Sequence, residues 1–375
     1  MEKRQIPSLN AGVSLLGFGL MRLPVTGSDK SKIDYSVAGS MVDRAIEGGI
    51  NYFDTAYVYH ERKSEIFAGD VLSKYKRESY YLATKMPTWD AVPSAADVPR
   101  VFEKQLKKCK TDYFDFYLVH SFDHDHYEQF IKYNMYDYLS KQKEAGRIRR
   151  LGFSFHADPS LLEKVVKNHT WDFAQIQLNY VDWEMLNAKR FYDFLTENRI
   201  PVVVMEPVRG GALAALNDKA SGILKKAAPQ ASLASWAIRF AASLPNVMTV
   251  LSGMSTPEQL EDNLKTMTPF RPLSEEDYKT IKEAAAAYIA SGTVPCTGCR
   301  YCMDCPAGVD IPRIFSQYNH YQISKNRNTF TGTYRYLLEK EKAHNCVNCG
   351  RCVKLCPQGI DIPKHLKEIA EFAAS

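Results

Sequence analysis

Residues 51–84 open with Asn51-Tyr52-Phe53-Asp54-Thr55, continue through an amphipathic stretch at 64–75 and close with Tyr80-Tyr81-Leu82-Ala83-Thr84. The two short runs are rich in residues that favour strands, and the stretch between them has the apolar periodicity of a helix. Similar units recur along the first 270 residues. This repetition predicts a parallel sheet whose strands are joined by helices.

The number of these units decides between two folds. Eight strands are predicted, at 15–19, 52–55, 80–84, 114–119, 151–154, 173–178, 202–205 and 248–251. Helices are predicted at 37–47, 64–75, 98–110, 130–145, 188–198, 233–242 and 257–265. Eight strand–helix units in about 250 residues are typical of a (β/α)8 barrel. A doubly wound sheet is the alternative, but no Gly-x-Gly-x-x-Gly turn follows the first strand.

The end of the chain has a different composition. Eight of the nine cysteines lie in the last 80 residues, in two runs: Cys296, Cys299, Cys302 and Cys305, then Cys346, Cys349, Cys352 and Cys356. Each run continues in a matching segment, first Cys305-Pro306-Ala307-Gly308-Val309-Asp310-Ile311-Pro312 and then Cys356-Pro357-Gln358-Gly359-Ile360-Asp361-Ile362-Pro363. A duplicated metal-binding unit explains the repeat.

Three interpretations of the cysteines compete: disulfides, zinc and iron–sulfur clusters. Disulfides need an oxidising compartment, whereas the N-terminus lacks the apolar core of a signal peptide and no apolar stretch is long enough to span a bilayer. We therefore expect a cytoplasmic protein with reduced thiols. Zinc sites usually use two Cys-x2-Cys pairs or histidine, but both runs here end in Cys-Pro, which favours two [4Fe-4S] clusters.

Length and charge fit this division. At 375 residues the chain exceeds a typical single domain, and we expect a barrel at 1–290 and a small, mostly α-helical domain at 291–375, here called the cysteine module. The formal charge is +5, and the cysteine module has eleven Lys and Arg against seven Asp and Glu. Two oxidised clusters with four thiolates each carry about −2 apiece, which offsets that excess of four. A nucleic-acid partner is therefore not expected.

Four polar residues follow successive predicted strands of the barrel. They are Asp54 after the second strand, Tyr59 in the loop beyond it, Lys85 after the third strand and His120 after the fourth. Catalytic groups of (β/α)8 barrels lie at the carboxyl ends of the strands. Reduction of a carbonyl by hydride produces an alkoxide, which needs a proton donor. A tyrosine can donate if a cation lowers its pKa, so we expect Tyr59 as general acid, Lys85 as the cation, Asp54 as its partner and His120 as a hydrogen-bond donor.

The segments Asn51-Tyr52-Phe53-Asp54-Thr55-Ala56 with Tyr59, Ala83-Thr84-Lys85 and Tyr117-Leu118-Val119-His120 resemble the aldo-keto reductase superfamily. The resemblance covers residues 5–268 and implies a (β/α)8 barrel that binds NADP or NAD without a Rossmann motif. It further implies that Ser154 and Gln175 hold the carboxamide and that the loop with Gly210, Gly211 and Leu213 wraps the pyrophosphate. The residues that would meet the adenosine end are Gly253, Met254, Ser255, Gln259 and Asn263.

Three positions differ from the family pattern. Phe155 replaces an asparagine that often follows the serine, and Met205 replaces an aromatic residue that stacks on the nicotinamide. Gln259 replaces an arginine that grips the 2′-phosphate of NADP, and an amide binds phosphate less well than a guanidinium. The choice between NADP and NAD is therefore left open.

In the cysteine module, resemblance to two-cluster ferredoxins implies a crossed pairing. Cys296, Cys299 and Cys302 would be completed by Cys356, and the other three would be completed by Cys305. A nicotinamide transfers two electrons as a hydride and a cluster transfers one, so the two halves cannot exchange electrons directly. Either a flavoprotein or ferredoxin partner connects them, or the clusters serve structure or redox sensing, or the barrel uses one-electron chemistry without a nicotinamide.

Two functions follow from these patterns. The first is a reductase or dehydrogenase that interconverts an aldehyde, ketone or sugar with the alcohol. The alternative is an electron-transfer subunit whose barrel is a docking scaffold or a nicotinamide sensor. Loops on the predicted catalytic face hold further candidate pocket residues, namely Trp89, His124, His126, His156, Tyr180 and Trp183.

Overall fold

The first part of the chain forms a closed barrel of eight parallel strands. The computed structural model describes residues 1–6, 11–27, 29–89, 91–186, 188–303 and 305–375. A hairpin of β1 (Lys3–Ile6) and β2 (Ala11–Ser14) precedes the barrel. The barrel strands are β3 (Leu16–Gly19), β4 (Tyr52–Asp54), β5 (Tyr81–Met86), β6 (Phe116–Phe122), β7 (Leu151–Phe155), β8 (Phe173–Gln177), β9 (Val202–Met205) and β10 (Val247–Ser252). They pair in chain order, and β10 closes the barrel on β3. The predicted (β/α)8 barrel is confirmed, with all eight strands in place, and a doubly wound sheet is excluded.

Helices follow the strands along the chain. They are α1 (Tyr35–Glu47), α2 (Tyr59–Arg62), α3 (Ser64–Leu72), α4 (Asp97–Cys109), α5 (His124–Lys132), α6 (Met135–Glu144), α7 (Pro159–Asn168), α8 (Asp182–Met185), α9 (Ala188–Glu197), α10 (Asp218–Ala227), α11 (Leu233–Ala242), α12 (Pro257–Met267) and α13 (Glu275–Ile289). The single helix predicted at 130–145 is wrong, because Asn134 adopts a left-handed conformation with φ 48° and separates α5 from α6.

The interior of the barrel is filled by apolar and aromatic side chains. Tyr52, Phe116 and Phe173 lie on three different strands. The Phe116 ring packs at a tilt against Tyr52 and edge to face against Phe173, with ring centroids 5.0 and 5.1 Å apart. Val13 of the N-terminal hairpin belongs to the same buried cluster. The lower part of the barrel is therefore a packed core, which leaves the carboxyl ends of the strands for chemistry.

The chain divides into two compact units. The first comprises Met1–Pro207 and Ala237–Leu273, and the second comprises Val208–Trp236 and Ser274–Ser375. Within the second unit α10 packs on α13, and Asn217 Nδ2 donates to the Ala287 carbonyl over 3.0 Å. The domain boundary expected at 290 stays a prediction.

Four helices form the cysteine module: α14 (Ile311–Ser324), α15 (Arg327–Tyr334), α16 (Arg351–Lys354) and α17 (Ile362–Ala374). Its core contains Ile311, Ile314, Phe315, Leu366 and Ile369, each at most 1% exposed. The amphipathic patterns of the module's sequence predict helices at 334–344 and at 362–374. The second prediction is confirmed by α17, whereas the first is wrong, because α15 ends at Tyr334 and short 3-10 turns follow.

The duplicated sequence segments fold in the same way. Gly308 donates its N–H to the Cys305 carbonyl over 3.0 Å, and Gly359 donates to Cys356 over 3.1 Å. Both glycines have positive φ, 74° and 61°, a conformation that side chains disfavour. Asp310 then caps α14 and Asp361 caps α17, each followed by a proline in the first turn. The Cys-Pro-x-Gly-x-Asp-Ile-Pro repeat thus encodes a turn and a helix start, twice.

No helix in the described part of the chain combines the length and the apolar character needed to cross a membrane.

Candidate active site and cysteine-lined cavities

The barrel brings together the four residues that the strand pattern singled out. Asp54 is the last residue of β4, Tyr59 begins α2 in the loop that follows, Lys85 lies on β5 and His120 lies on β6. Neighbouring parallel strands end at the same edge of the barrel, so their side chains converge. All four are buried, and Lys85 is 0% exposed.

Lys85 and Asp54 form a buried ion pair. Lys85 Nζ donates to Asp54 Oδ1 over 2.6 Å and to the Thr55 carbonyl over 2.8 Å. Burial lowers the pKa of Lys85 and raises that of Asp54, and the close contact opposes both changes. A buried charge is stable only when paired and hydrogen-bonded, so the pair keeps an ammonium inside the barrel.

The Tyr59 ring lies beside this ammonium, and the His120 ring packs against Tyr59. Lys85 Nζ lies 5.0 Å from the centroid of the Tyr59 ring, and the Tyr59 and His120 rings meet edge to face with centroids 5.9 Å apart. Burial, with the charge of Lys85 as a second cause, holds the pKa of His120 well below its ordinary value. His120 is therefore a neutral imidazole near pH 7.

Histidines and a tryptophan extend the site beyond these four residues. The Trp89 ring centroid lies 5.1 Å from that of His120 and 5.1 Å from that of His126. His126 Nδ1 lies 3.1 Å from Asp123 Oδ2. On the exposed surface, His124 Nε2 lies 2.5 Å from Asp158 Oδ2. Tyr180 and Trp183 instead pack their rings against Phe240. Of the candidate pocket residues, Trp89 therefore contacts His120 directly, and His156 and His126 act on His120 electrostatically.

A second layer of polar residues, which the sequence reading missed, supports β5. Glu65 of α3 is fully buried and accepts hydrogen bonds from Thr84 Oγ1 at 2.7 Å and from Gln105 Nε2 at 2.6 Å. Gln105 Nε2 also donates to the Lys85 carbonyl over 2.9 Å. These contacts fix the backbone that carries Lys85. The only sequence signal for this polar layer is the glutamate at position 65, within the helix that precedes β5.

The residues expected to hold a carboxamide lie on β7 and β8. Ser154 Oγ accepts the Ser121 N–H over 2.7 Å, and Gln175 Nε2 approaches Met205 Sδ at 3.5 Å. Gln175 Oε1 is buried and has no hydrogen-bond partner among the described residues. Such an atom is costly unless a ligand satisfies it. Phe155 packs its ring against Phe191 of α9, with centroids 5.6 Å apart.

The residues expected at the adenosine end gather after β10. Gln259 Oε1 accepts the Ser255 N–H over 2.7 Å, and Asn263 Nδ2 donates to Ser252 Oγ over 2.9 Å. Ser255 Oγ donates to the Arg22 carbonyl over 2.7 Å. A Cβ on Gly253 would lie 3.3 Å from the Arg22 side chain, and Met254 is buried.

Arg22 was missed by the sequence reading. Its guanidinium donates to Glu206 over 3.1 Å, and the only sequence signal for it is its place just beyond the carboxyl end of β3.

The predicted pyrophosphate loop, with Gly210, Gly211 and Leu213, lies in a 3-10 segment of the second unit, Arg209–Ala214. A Cβ on Gly210 would lie 2.2 Å from the Thr297 carbonyl oxygen, and Gly210 has φ 65°. Only glycine permits this approach. Arg209 is 2% exposed, and its charge acts on Cys296. In this structure the loop is therefore packed beside the first cysteine run.

The eight cysteines form two cavities. The walls of the first cavity include Cys296, Cys299, Cys302 and Cys356, and those of the second include Cys305, Cys346, Cys349 and Cys352, together with Cys302. The structure therefore groups the cysteines as the crossed pairing implies. Burial raises the pKa of the Cys296 thiol to about 11 and that of Cys352 to about 11, although the Arg209 guanidinium opposes the shift at Cys296.

An eight-stranded parallel barrel with Asp, Lys, Tyr and His gathered at the carboxyl ends of its strands has the architecture of a barrel enzyme. Residues 15–286 match the Aldo/keto reductase family, and residues 295–361 match the 4Fe-4S dicluster domain. The chain belongs to the aldo/keto reductase family and is an oxidoreductase of that type.

Several known proteins are similar over the barrel. The uncharacterised oxidoreductase YqkF of Bacillus subtilis (strain 168) is 29% identical over 314 residues, which cover 75% of this chain and 96% of the relative. L-Galactose dehydrogenase of Arabidopsis thaliana is 24% identical over 306 residues, covering 76% and 94%. The aldo-keto reductase AKR11C1 from Bacillus halodurans (holo form) is 27% identical, with a TM-score of 0.62 and coverage of 76% of this chain and 96% of that one.

Proposed function

We propose that this chain interconverts an aldehyde, ketone or sugar with the corresponding alcohol, using NADP or NAD, and holds two [4Fe-4S] clusters in its cysteine module. The observation that carries the first part is the convergence of Asp54, Tyr59, Lys85 and His120 on one buried ammonium. The observation that carries the second part is the grouping of eight cysteines into two cavities.

In the proposed reaction the Tyr59 hydroxyl gives its proton to the substrate oxygen as that oxygen becomes an alkoxide. Loss of the proton leaves a phenolate, which the nearby Lys85 ammonium stabilises because opposite charges attract strongly in a water-poor site. Asp54 keeps the lysine charged and directed at the ring. In the reverse direction, the phenolate removes the proton of an alcohol.

His120 positions the substrate oxygen. Because it is neutral, one ring nitrogen carries a hydrogen and can donate to the carbonyl oxygen without adding a second cation beside Lys85. His120 Nδ1 is buried and has no hydrogen-bond partner within the described chain, which fits a group that meets a ligand. Trp89 packs on the same ring and restricts its orientation.

The polar atoms on β7 and β8 fit a nicotinamide. Gln175 Oε1 can accept from the carboxamide nitrogen, and the Ser154 hydroxyl, which accepts from Ser121, still has its own hydrogen to donate. When bound, the nicotinamide supplies or accepts a hydride at the substrate carbon. Position 259 is a glutamine, so a 2′-phosphate would find no guanidinium there, and the Gln259 amide oxygen already accepts a hydrogen bond from the Ser255 N–H. Both NAD and NADP should therefore be assayed.

The cysteine cavities fit cubane clusters better than zinc ions. A zinc ion needs four ligands at about 2.3 Å from one centre. Within the described residues, no three His, Cys, Asp or Glu side chains are close enough together to bind a single metal ion. The thiolates around a cubane stand farther apart, at the corners of the cluster. Bound clusters would pass electrons singly, and the eight cysteines would hold them in the crossed pairing.

Replacement of Tyr59 by Phe tests the reaction. The change removes one hydroxyl, so reduction of aldehydes, ketones and sugars by NADPH or NADH should fall by about 10³-fold while cofactor affinity is kept. Tyr57→Phe is the matched control, because Tyr57 is also buried but contacts Lys108 rather than Lys85. Equal turnover in Tyr59→Phe and Tyr57→Phe would remove the proposed mechanism.

The electron-transfer alternative is distinguished by the clusters themselves. In anaerobically purified protein, iron and sulfide analysis should give eight of each per chain. If NADH and NADPH leave carbonyl substrates unreduced while a reduced iron–sulfur carrier bleaches the clusters, the barrel is a scaffold. Tight nicotinamide binding with negligible turnover would instead favour a sensor.

A further inference from the structure

The two cysteine cavities differ in how they meet the surface. Cys349, on the wall of the second cavity, is exposed, whereas the four cysteines of the first cavity are buried or partly buried. The two cavities share Cys302 and Ile311 in their walls, so they are adjacent. An electron that enters at Cys349 would therefore reach the second cavity first and the first cavity next.

An exposed apolar patch borders the second cavity. Val347 lines this cavity and is 67% exposed, and Leu338 and Tyr336 are 60% and 70% exposed. Among the large apolar residues that the structure describes, these three are the most exposed. Exposed apolar side chains that cluster beside a functional group mark interaction surfaces. With Cys349, we call these residues the carrier face.

Polar contacts hold the two parts of this face together. Asn345 Nδ2 donates to the Glu339 carbonyl over 2.6 Å, and His344 Nε2 lies 3.0 Å from a Glu339 carboxylate oxygen. The turn that carries Leu338 is thus fastened to the residues immediately before Cys346 and Val347. These contacts bring the turn that follows Leu338 close to the segment that carries Val347, although members of the face are up to 13 residues apart in the sequence.

The rim of the carrier face is basic. Arg335 stacks its guanidinium 5.0 Å from the Tyr336 ring centroid, Arg351 lines the second cavity, and Lys354 lies three residues further along α16. Lys340 follows the same turn as Leu338, and all four basic side chains are exposed.

The two nearby carboxylates are engaged locally. Glu339 pairs with Lys342 at 2.7 Å, and Glu341 accepts the Leu338 N–H at 3.1 Å. Basic side chains therefore outnumber carboxylates on the rim of this face and surround an apolar centre, and a polar rim around an apolar centre is the usual anatomy of an interface.

We propose that the carrier face is the docking site of a small acidic protein that carries one electron at a time. This rests on the proposed function, because it requires a cluster in the second cavity. The carrier's negative surface would pair with Arg335, Lys340, Arg351 and Lys354, which steers encounter. In the docked complex the reduced carrier loses one electron and the second cluster gains it, with no proton or bond transferred. A second copy of this chain is disfavoured, because two basic rims would repel.

Anaerobic stopped-flow mixing tests the proposal. The holoprotein is mixed with a reduced plant-type [2Fe-2S] ferredoxin as the acidic probe, and cluster bleaching is followed with increasing salt. The variant Lys340→Glu with Lys354→Glu should lower the second-order rate constant by about tenfold at low ionic strength and flatten its salt dependence. Lys132→Glu with Lys265→Glu, on exposed positions of α5 and α12, makes the same charge change in the barrel and should leave the rate unchanged.

Two further measurements separate docking from damage. Leu338→Ser should lower the ferredoxin rate several-fold at every salt concentration, because it removes apolar contact rather than charge. Dithionite, which needs no docking face, should bleach all variants at the same rate.

Equal ferredoxin rates in the docking and control variants would overturn the proposal, as would a parallel loss with dithionite. A concentration-dependent dimer that Leu338→Ser dissociates would assign the face to a second copy. Absence of iron from the anaerobic protein would instead contradict the proposed function, because the module would then hold no clusters.

Discussion

In the barrel, the Lys85 ammonium lies 2.6 Å from the Asp54 carboxylate, so both charges of the site come from the chain. In the cysteine module, eight thiols line two cavities, and burial raises the pKa of Cys296, Cys302, Cys352 and Cys356. These groups become charged only when metal replaces their protons. The charges of the barrel site are thus supplied by the polypeptide, whereas those of the module would come with the proposed clusters. The two halves should respond differently to the same treatments.

Removal of iron should give the largest difference in stability between the cysteine module and the barrel. If clusters hold the module together, chelation of the anaerobic holoprotein should cost it stabilisation on the order of 10 kcal/mol, which is typical of structural metal sites. Amides of α14 and α17 should then exchange rapidly with deuterium, while those of the barrel strands stay protected. Hydrogen-exchange mass spectrometry measures both in one sample. Unchanged protection of α14 and α17 would mean that the apolar core of the module suffices without metal.

Lys85→Met should have the opposite effect: it should destabilise the barrel and leave the cysteine module unaffected. It leaves Asp54 buried without its cation, which costs about 3–5 kcal/mol of unfolding free energy. Urea unfolding monitored by tryptophan fluorescence measures this loss, and the cluster absorbance should be unaffected. Lys85→Met combined with Asp54→Asn should recover most of the stability but none of the carbonyl reduction. A double variant no more stable than Lys85→Met would argue against an unpaired charge as the cause.

Acid should destabilise the barrel through His120, which is buried, and His156, which is partly buried. Burial lowers the pKa of His156 to about 4, and His120 is also held neutral, whereas both protonate near 6.5 when unfolded. The unfolded chain therefore binds protons that the folded chain does not as pH falls from 6.5 towards 4, and stability declines over that window. For His156 we expect a loss of about 1–2 kcal/mol between pH 7 and pH 5. Urea midpoints for His156→Asn should depend less on pH, and an unchanged slope would refute the assignment.

Arg209→Gln should produce the smallest effect and distinguish the two clusters within the module. Arg209 acts electrostatically on Cys296 of the first cavity, and a nearby cation stabilises the additional electron of a reduced cluster. A loss of roughly 1 kcal/mol lowers a one-electron midpoint potential by about 40 mV. Redox titration followed by EPR should show this shift for one cluster only. Arg209→Lys should keep most of the potential, and equal shifts of both clusters would exclude a local effect.

The sequence predicted the barrel because its strands are short, apolar and separated by periodic helices. The candidate catalytic set was also readable, since Asp54, Lys85 and His120 occupy equivalent places on successive strands. Arg22, Glu65 and Gln105 were missed because their roles depend on partners that are distant in the sequence. Arg22, for example, donates to a residue 184 positions away.

The helix expected at 334–344 shows the same limit. The Ala343 N–H donates to the Tyr334 hydroxyl over 2.9 Å, and Asn345 donates to the Glu339 carbonyl. These bonds to side chains replace the backbone hydrogen bonds that a continuous helix would have. The helix propensities of single residues do not account for hydrogen bonds to side chains that compete with those of a helix. The Cys-Pro-x-Gly-x-Asp-Ile-Pro repeat, in contrast, contains the glycine of its turn and the aspartate of its helix cap, so both could be predicted.

The close approach of Gly210 to the Thr297 carbonyl has a consequence for how this protein can be dissected. The second unit draws on two separate stretches of the chain, Val208–Trp236 and Ser274–Ser375, so the polypeptide passes between units at three places. A truncation after residue 290 would remove Thr297, whose backbone the loop at 209–214 contacts at Gly210. A recombinant fragment cut at that point would therefore separate two stretches of the chain that form one compact unit.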